Sequence, residues 1–254
     1  MRGGDDVTQV KTSVVDTTDE GAVKTFFAAI PAGSIHHLVC TTGPSLAGGA
    51  FLDVPMDKIR AQYDAKLFSA MHVAKYGAPA LADGGSLTFL SGALARRPGK
   101  GSAALATVNA ALDALAKALA GELGPRLRVN CLSPGLVDTE MWDSMPEDVK
   151  AKMLAGFGAS IPAGRAGTID DIGHGAVFLM TNPWVTGTVL DVDGGPAPSP
   201  GPTWPSATTP GPPMGQEYQQ RYKLVNDRLP KVRQRLHRAA EYRRGIDGRA
   251  RNNA

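Results

Sequence analysis

Few residues in this chain have the types and spacing that catalysis needs. The five histidines are scattered over 254 residues and only Cys40 and Cys131 supply thiols, so no group has the spacing of metal ligands. Ser91, in "LSG", lacks the glycine two residues earlier that marks a strained nucleophile turn. With metal catalysis and a nucleophilic serine disfavoured, general acid–base catalysis is the remaining possibility. At neutral pH it needs a hydroxyl or an amine with a shifted pKa.

The segments that must position such groups alternate between strand-like and helix-like patterns up to residue 195. The predicted strands cover 10–16, 36–41, 85–92, 127–135 and 187–195, and the predicted helices cover 19–30, 56–81, 102–123, 146–157 and 168–181. This β-α-β order predicts an α/β fold with a parallel sheet and helices on both faces.

The chain changes character after Gly195. Residues 196–215 carry eight prolines in their first eighteen positions, which predicts a semi-rigid linker. Residues 216–254 carry 11 Lys and Arg against 4 Asp and Glu, with apolar residues at steps of three and four. We expect 1–195 to be the folded domain, and 216–254 to be a basic tail that is partly helical or disordered.

Composition indicates the cellular compartment and the classes of binding partner. With 43% hydrophobic residues the chain can bury a core, and 16 basic against 20 acidic residues make 1–215 mildly acidic. Two cysteines, no signal-like segment and no apolar run of about 18 residues favour the cytoplasm and no membrane partner. A basic tail can bind nucleic acid, but a solvated face is the commoner reason for such a run, so we expect no nucleic-acid partner.

Two long segments resemble a known family. "RVNCLSPGLVDTEM" (128–141) and "GRAGTIDDIGHGAVFLMTNPWVTGTVLDVDGG" (164–195) are similar to signatures of the short-chain dehydrogenase/reductase family, as are the shorter "VVDTTDEGAV" (14–23) and "CTTG" (40–43). The resemblance implies a Rossmann-like, doubly wound sheet with NAD or NADP across the carboxyl ends of its strands. The residues that it places along the cofactor cleft are Asp16, Thr42, Gly43, Pro134, Gly135, Val137 and Thr139. Gly43 and Gly135 also fit ordinary turns, and Thr139 also fits a helix N-cap.

The resemblance also locates the reacting groups. The family uses a Ser to position the substrate oxygen, a Tyr to transfer the proton, a Lys four residues later and an upstream Asn. Without gaps these positions fall on Gly92 with Ser91 adjacent, Leu105, Asn109 and Lys66. Leu105 cannot transfer a proton, so Ser91, Lys66 and Asn109 are the predicted catalytic residues. Lys66 can hold the cofactor ribose, polarise a carbonyl or act as a base, or it can be a solvated helix lysine.

The start of the chain departs from the family as well. The Gly-rich turn that receives the cofactor diphosphate, and the family's first two strands, have no counterpart before residue 10, where the chain opens with "MRGGDD". In the family's strand order this leaves strand 36–41 with an open edge, which the segment 10–16, the tail or another chain must cover. The alternative is that the start codon is misassigned and that upstream residues exist.

Three functions fit these features. The first is an NAD(P)-dependent oxidoreductase of carbonyls or alcohols, or a catalytically degenerate descendant of one. The second is a scaffold that pairs with itself or a related subunit through helices 56–81 and 102–123. The third is a non-redox enzyme of the isomerase or cyclase type that uses the same cleft.

Overall fold

The computed structural model of the protein describes residues 11–43, 48–143 and 145–195. The opening "MRGGDD", the predicted linker 196–215 and the predicted tail 216–254 lie outside the described residues.

The described residues form a parallel sheet flanked by helices. The strands are β1 (Ile35–Cys40), β2 (Leu81–Leu90), β3 (Arg128–Pro134) and β4 (Val189–Val192), and they pair in the order β1-β2-β3-β4. The helices are α1 (Glu20–Ala28), α2 (Met56–Tyr63), α3 (Ser69–Gly77), α4 (Ala103–Leu123), α5 (Glu147–Ala159) and α6 (Ile169–Thr181). The predicted parallel α/β architecture is confirmed.

The predicted strand 10–16 is wrong for the residues that the structure describes there. Residues 11–16 form no strand and Val14 is fully exposed. A β-branched, alternating segment needs a neighbouring strand to complete its hydrogen bonds, and no strand of the described sheet lies beside it. The predicted open edge is present, because β1 ends the strand order and is less buried than β3.

The sheet is packed on both faces. On one face, Val108, Leu112 and Ala116 of α4 join one core with Val129 and Cys131 of β3. On the other face, Gly175 of α6 approaches β3 and β4 so closely that an added Cβ would lie 2.9 Å from Leu132 and 3.0 Å from Val192. Residues 129–133 are therefore fully buried, as in a strand covered by helices on both sides.

The predicted helix 56–81 is interrupted. α2 and α3 are joined by a π-helical turn at Asp64–Phe68, and a 3-10 turn at Ala78–Ala80 leads into β2. A π turn widens the helix by one residue and often occurs where a side chain must be turned into a site. The side chain that it carries inward here is that of Lys66, which is 8% exposed.

The "RVN" motif fixes the loop between α6 and β4. The Arg128 guanidinium donates to the backbone oxygens of Leu179 (2.7 Å), Met180 (2.6 Å) and Val185 (3.2 Å), which satisfies carbonyls at the end of α6. Asn130 is fully buried, donates to the Val185 oxygen (3.0 Å) and accepts from the backbone N–H of Thr188 (3.2 Å). This part of the motif is structural.

Among the described residues one helix, α4, is long and apolar enough to cross a membrane by length and composition. Its buried face packs on β2 and β3, and a core helix passes the same test, so the observation is weak evidence for a membrane span.

Candidate active site

Lys66 reaches from the π turn to the carboxyl end of β2. Its Nζ donates a hydrogen bond to the main-chain oxygen of Ser91 at 3.1 Å. Gly43 covers its stem, since a Cβ at that position would lie 2.5 Å from Cβ of Lys66. The side chain is thus buried, and the reading of Lys66 as a solvated helix lysine is wrong.

Ser91 and Asn109 lie beside this amine. Ser91 is 5% exposed, and its backbone N–H donates to the Leu132 oxygen at 2.9 Å, which ties the end of β2 to β3. Asn109 of α4 is 2% exposed and fills the space next to Gly92, where an added Cβ would lie 2.8 Å from Nδ2 of Asn109. The three predicted catalytic residues therefore meet at one place, although they come from three separate elements.

Sequence reasoning missed a charged network behind these residues. Asp113 of α4 is 8% exposed and forms an ion pair with Arg96, which also contacts Ser133 and Asp191. Arg97 pairs with Asp193 in the same region. Asp113 lies four residues after Asn109, on the same face of α4. A carboxylate on the buried face of a predicted helix needs a charged partner, and this signal in the sequence could have revealed the network.

Burial changes the proton affinity of the groups in this cluster. Loss of hydration lowers the pKa of Lys66 to about 8, and the nearby Cys131 and Asp113 oppose that change. The Cys131 thiol is next to Ser91 and Asp113, and burial raises its pKa to about 12. At neutral pH the cluster thus holds a lysine that loses its proton readily and a thiol that keeps it.

Three polar atoms of the cluster are buried without a nitrogen or oxygen partner. They are Ser91 Oγ, Asn109 Oδ1 and Asp113 Oδ1. A buried polar atom without a partner costs about 1–3 kcal/mol, so such atoms usually contact a water or a ligand group. All three belong to residues of the Lys66 cluster, so this part of the fold has unused capacity to bind a small polar group, such as a carbonyl, a hydroxyl or water.

Four of the residues predicted to line a cofactor cleft, Thr42, Gly43, Pro134 and Gly135, lie at the carboxyl ends of β1 and β3, but they have other contacts. Gly43 has a φ of +99° and packs on Lys66, and Gly135 leaves only 2.8 Å between a built Cβ and the Asp193 backbone. Both glycines are thus required by packing within the chain itself. Pro134 ends β3, and the Thr42 hydroxyl lies 3.3 Å from the Cys40 thiol.

The remaining predicted cofactor residues are farther along the loops. Val137 forms a bridge with Gly167, and its oxygen accepts from the Trp142 indole at 2.9 Å. Thr139 precedes a short 3-10 turn at Glu140–Trp142 without a side-chain cap. The Asp16 carboxylate accepts from the backbone N–H (2.9 Å) and hydroxyl (2.7 Å) of Thr18, and no described contact joins it to the Lys66 cluster.

The position expected to transfer a proton holds an apolar side chain that is partly buried against the core, Leu105. Two side chains with a hydroxyl or an imidazole have partners away from the cluster. The Tyr76 hydroxyl donates to Glu20 at 2.6 Å, and His37 pairs with the Ser86 hydroxyl at 2.9 Å within the sheet. Within residues 11–43, 48–143 and 145–195, no three His, Cys, Asp or Glu side chains form a group that could hold a metal.

The chain is similar to a known protein family and to several of its members. The family model described as enoyl-(acyl carrier protein) reductase matches residues 4–196. A short-chain dehydrogenase/reductase of Stachybotrys chlorohalonatus is 41% identical over 110 residues, and the match spans 43% of that protein and 43% of this chain. A short-chain dehydrogenase/reductase of an Acremonium species is 31% identical over 203 residues, which cover 77% of this chain and 76% of that one.

A solved structure has the same fold. The crystal structure of a small-chain dehydrogenase in complex with NADPH superposes with a TM-score of 0.68 at 38% identity, and the match covers 71% of this chain and 81% of that one.

Proposed function

The chain belongs to the short-chain dehydrogenase/reductase family, and we propose that it is an NAD(P)-dependent oxidoreductase of carbonyls or alcohols with an altered acid–base site. The observation that carries the proposal is a cluster at the carboxyl end of β2 in which the buried Lys66 amine bonds to the Ser91 main-chain oxygen. In the same cluster Ser91 Oγ, Asn109 Oδ1 and Asp113 Oδ1 are buried without nitrogen or oxygen partners. These atoms can bind the substrate oxygen and one water.

The residues present fit the nicotinamide end of such a cofactor. Buried acceptors at Asn109 and Asp113, with the ammonium of Lys66, suit a ribose hydroxyl as well as a substrate oxygen. The dinucleotide-bound relative supports the cofactor class, since its structure contains NADPH. Among the described residues no Gly-rich turn joins a strand to a helix N-terminus, so the diphosphate would be held by Thr42, Gly43 and the loop after β3 or by residues outside the described part.

The chain's own residues have distinct tasks in this mechanism. A bound nicotinamide would supply or accept the hydride. Ser91 donates its hydroxyl hydrogen to the carbonyl oxygen and fixes its orientation. The ammonium of Lys66 stabilises the negative charge that develops on that oxygen, an effect that is strong in a site from which water is excluded.

The proton itself comes from a different source than in the family at large. Leu105 has no exchangeable hydrogen, so the proton that neutralises the alkoxide is supplied by a water held at Asn109. This water can be replenished from Lys66, because its lowered pKa of about 8 places its proton within reach at neutral pH.

A fluorescence titration with NADH and NADPH tests the proposal first. Saturable quenching or energy transfer with either cofactor is expected, followed by turnover on a panel of aldehydes and ketones. Intact mass must be measured on the same sample, so that the N-terminus of the tested chain is known. The absence of binding at millimolar concentrations of both cofactors would refute the proposal.

A second candidate is a non-redox isomerase or cyclase in the same cleft. The absence of a hydroxyl at Leu105 favours it, because the family pattern places the proton donor of carbonyl reduction at that position. Turnover that needs no nicotinamide and is lost in Lys66→Met would identify the isomerase or cyclase. Turnover that depends on NAD(P) would identify the oxidoreductase.

We also propose that the protein forms a homo-oligomer, or pairs with a related subunit, through α3 and α4. The outward face of α4 carries small exposed residues, including Ala110, Ala114 and Ala118, that allow close helix approach. Phe68 of the π turn and Met71 of α3 are 47% and 37% exposed, which adds apolar surface to the proposed contact. The cytoplasm is the proposed compartment, and the free thiols of Cys40 and Cys131 support it.

A further inference from the structure

The amine of Lys66 is buried at the end of the sheet where the family's ligands bind. Its stem is covered by Gly43, and the residue as a whole is 8% exposed. Its Nζ lies 3.1 Å from the Ser91 oxygen at the carboxyl end of β2, where doubly wound folds bind their ligands. The same end of the site has the three unpartnered polar atoms described above.

The groups that face this amine suit addition chemistry. Asp113 lies close enough to interact with the amine and carries an oxygen, Oδ1, without a nitrogen or oxygen partner. This oxygen can accept a proton that the amine releases. Ser91 Oγ can donate a hydrogen to a substrate oxygen that leaves as water. Cys131 is the other titratable group that interacts with Lys66, and burial keeps it a thiol.

The protonation state favours the same chemistry. A lysine amine attacks carbonyls in its neutral form, which is scarce when the pKa is near 10.5. With the pKa of Lys66 lowered to about 8, roughly 300 times more of it is neutral at pH 7 than of an ordinary lysine. Lys75, which is exposed and bonded to Glu20, has instead a raised pKa and provides an internal reference.

We propose that Lys66 forms a reversible imine with small aldehydes and ketones that enter the cleft. The Nζ lone pair forms a bond to the carbonyl carbon and the oxygen takes up a proton, which gives a carbinolamine. This species then loses one water and becomes the imine, so that no oxidant or reductant takes part. The inference rests on the proposed function in one respect, because the same substrate class must reach the same cleft, but it needs no nicotinamide.

Reductive trapping on the full chain provides the test. The protein is incubated at pH 7 with propanal and sodium cyanoborohydride, which reduces an imine to a stable secondary amine, and the propyl group is located by peptide mapping. Lys66 is expected to be modified at least about tenfold faster than Lys75 in the wild-type chain. Lys66→Arg should lose the fast modification, and Lys75→Arg should keep it.

The outcomes separate this inference from the oxidoreductase proposal. Modification of Lys66 at a rate equal to or below that of Lys75 would overturn the imine, whether or not the cofactor titration succeeds. Fast modification of Lys66 without cofactor binding supports the imine and refutes the oxidoreductase. The wild-type chain decides the question by itself, so a variant that fails to fold does not leave it open.

Discussion

The ammonium of Lys66 donates a hydrogen bond to the main-chain oxygen of Ser91 at 3.1 Å, which joins the π turn between α2 and α3 to the end of β2. The N–H of Ser91 is bonded to Leu132 on β3, so its backbone is held from two sides. A side chain on such a rigid support keeps its orientation when a substrate binds. The Ser91 hydroxyl, which has no nitrogen or oxygen partner of its own, is therefore ready to bind a ligand oxygen.

Removal of this hydroxyl should lower catalysis with little effect on folding. In Ser91→Ala we expect kcat/KM for carbonyl reduction to fall by about 10²–10³, the usual effect of losing one hydrogen-bond donor to a developing oxyanion. Steady-state kinetics measure this loss, and the exposed Ser34→Ala is the matched control. An unchanged kcat/KM in Ser91→Ala would show that the substrate oxygen binds elsewhere.

The buried amine should make stability depend on pH in a defined direction. Because the folded-state pKa of Lys66 is lowered to about 8, the unfolded chain binds more protons between about pH 8 and 10.5. The lysine's contribution to the free energy of unfolding therefore rises with pH across this range, by about 3 kcal/mol at most. Cys131 and Cys40 act in the opposite direction, since burial raises the pKa of each thiol.

The difference between two variants isolates the lysine from the thiols. Urea unfolding of the wild type and of Lys66→Met at pH 7, 8, 9 and 10 should show the wild type gaining stability relative to the variant as pH rises. Lys58→Met, at an exposed lysine, should run parallel to the wild type. A difference that stays constant with pH would mean that Lys66 is charged and hydrated in the fold.

The order of the elements was predictable because local patterns define it, whereas the interruption of helix 56–81 and the start of β2 at Leu81 were not. Helix 102–123 was predicted within one residue of α4, and strand 127–135 encloses β3. The segment 10–16 has the same local pattern as a strand, yet no adjacent strand in the described sheet completes its hydrogen bonds. A local pattern indicates that a segment prefers the extended conformation, but strand pairing also requires an adjacent strand, which the pattern of the segment itself cannot predict.

The site was predictable in part for the same reason. Family resemblance indicated Ser91, Lys66 and Asn109, and the structure brings them together. The burial of Lys66 could not be predicted, because it depends on a π turn and on Gly43 from a distant segment. The ion pair of Arg96 and Asp113 joins the loop after β2 to α4, so only the folded arrangement reveals it.

The "RVN" motif should contribute more to stability than to activity. Arg128→Ala removes three hydrogen bonds to the carbonyls of Leu179, Met180 and Val185. We expect the free energy of unfolding to fall by about 2–3 kcal/mol, since bonds to a charged donor contribute about 1.5–3 kcal/mol each and water replaces some of them. Chemical denaturation measures this change. Arg60→Ala, at an exposed position, should change stability by less than about 0.5 kcal/mol.

The proposed subunit contact is testable on α4. Ala114→Arg places a long charged side chain on the exposed small-residue face, so it should shift the protein to smaller species in analytical ultracentrifugation. Ala151→Arg, at an exposed alanine on α5, is the control and should leave the distribution unchanged. A wild-type chain that is monomeric at tens of micromolar would contradict the contact, as would an Ala114→Arg variant that assembles normally.

The altered acid–base site should be reversible by exchanging three side chains. In the triple variant K66N/L105Y/N109K, a hydroxyl stands at position 105 with a lysine four residues later, as the family pattern requires. Direct proton transfer from such a group usually contributes 10²–10⁴-fold, so kcat for carbonyl reduction should rise by at least about 10² over the wild type. The control K66N/L105F/N109K has the same ring without the hydroxyl and should stay low. Equal rates in the two variants, with cofactor binding intact, would show that proton transfer at position 105 does not limit this protein.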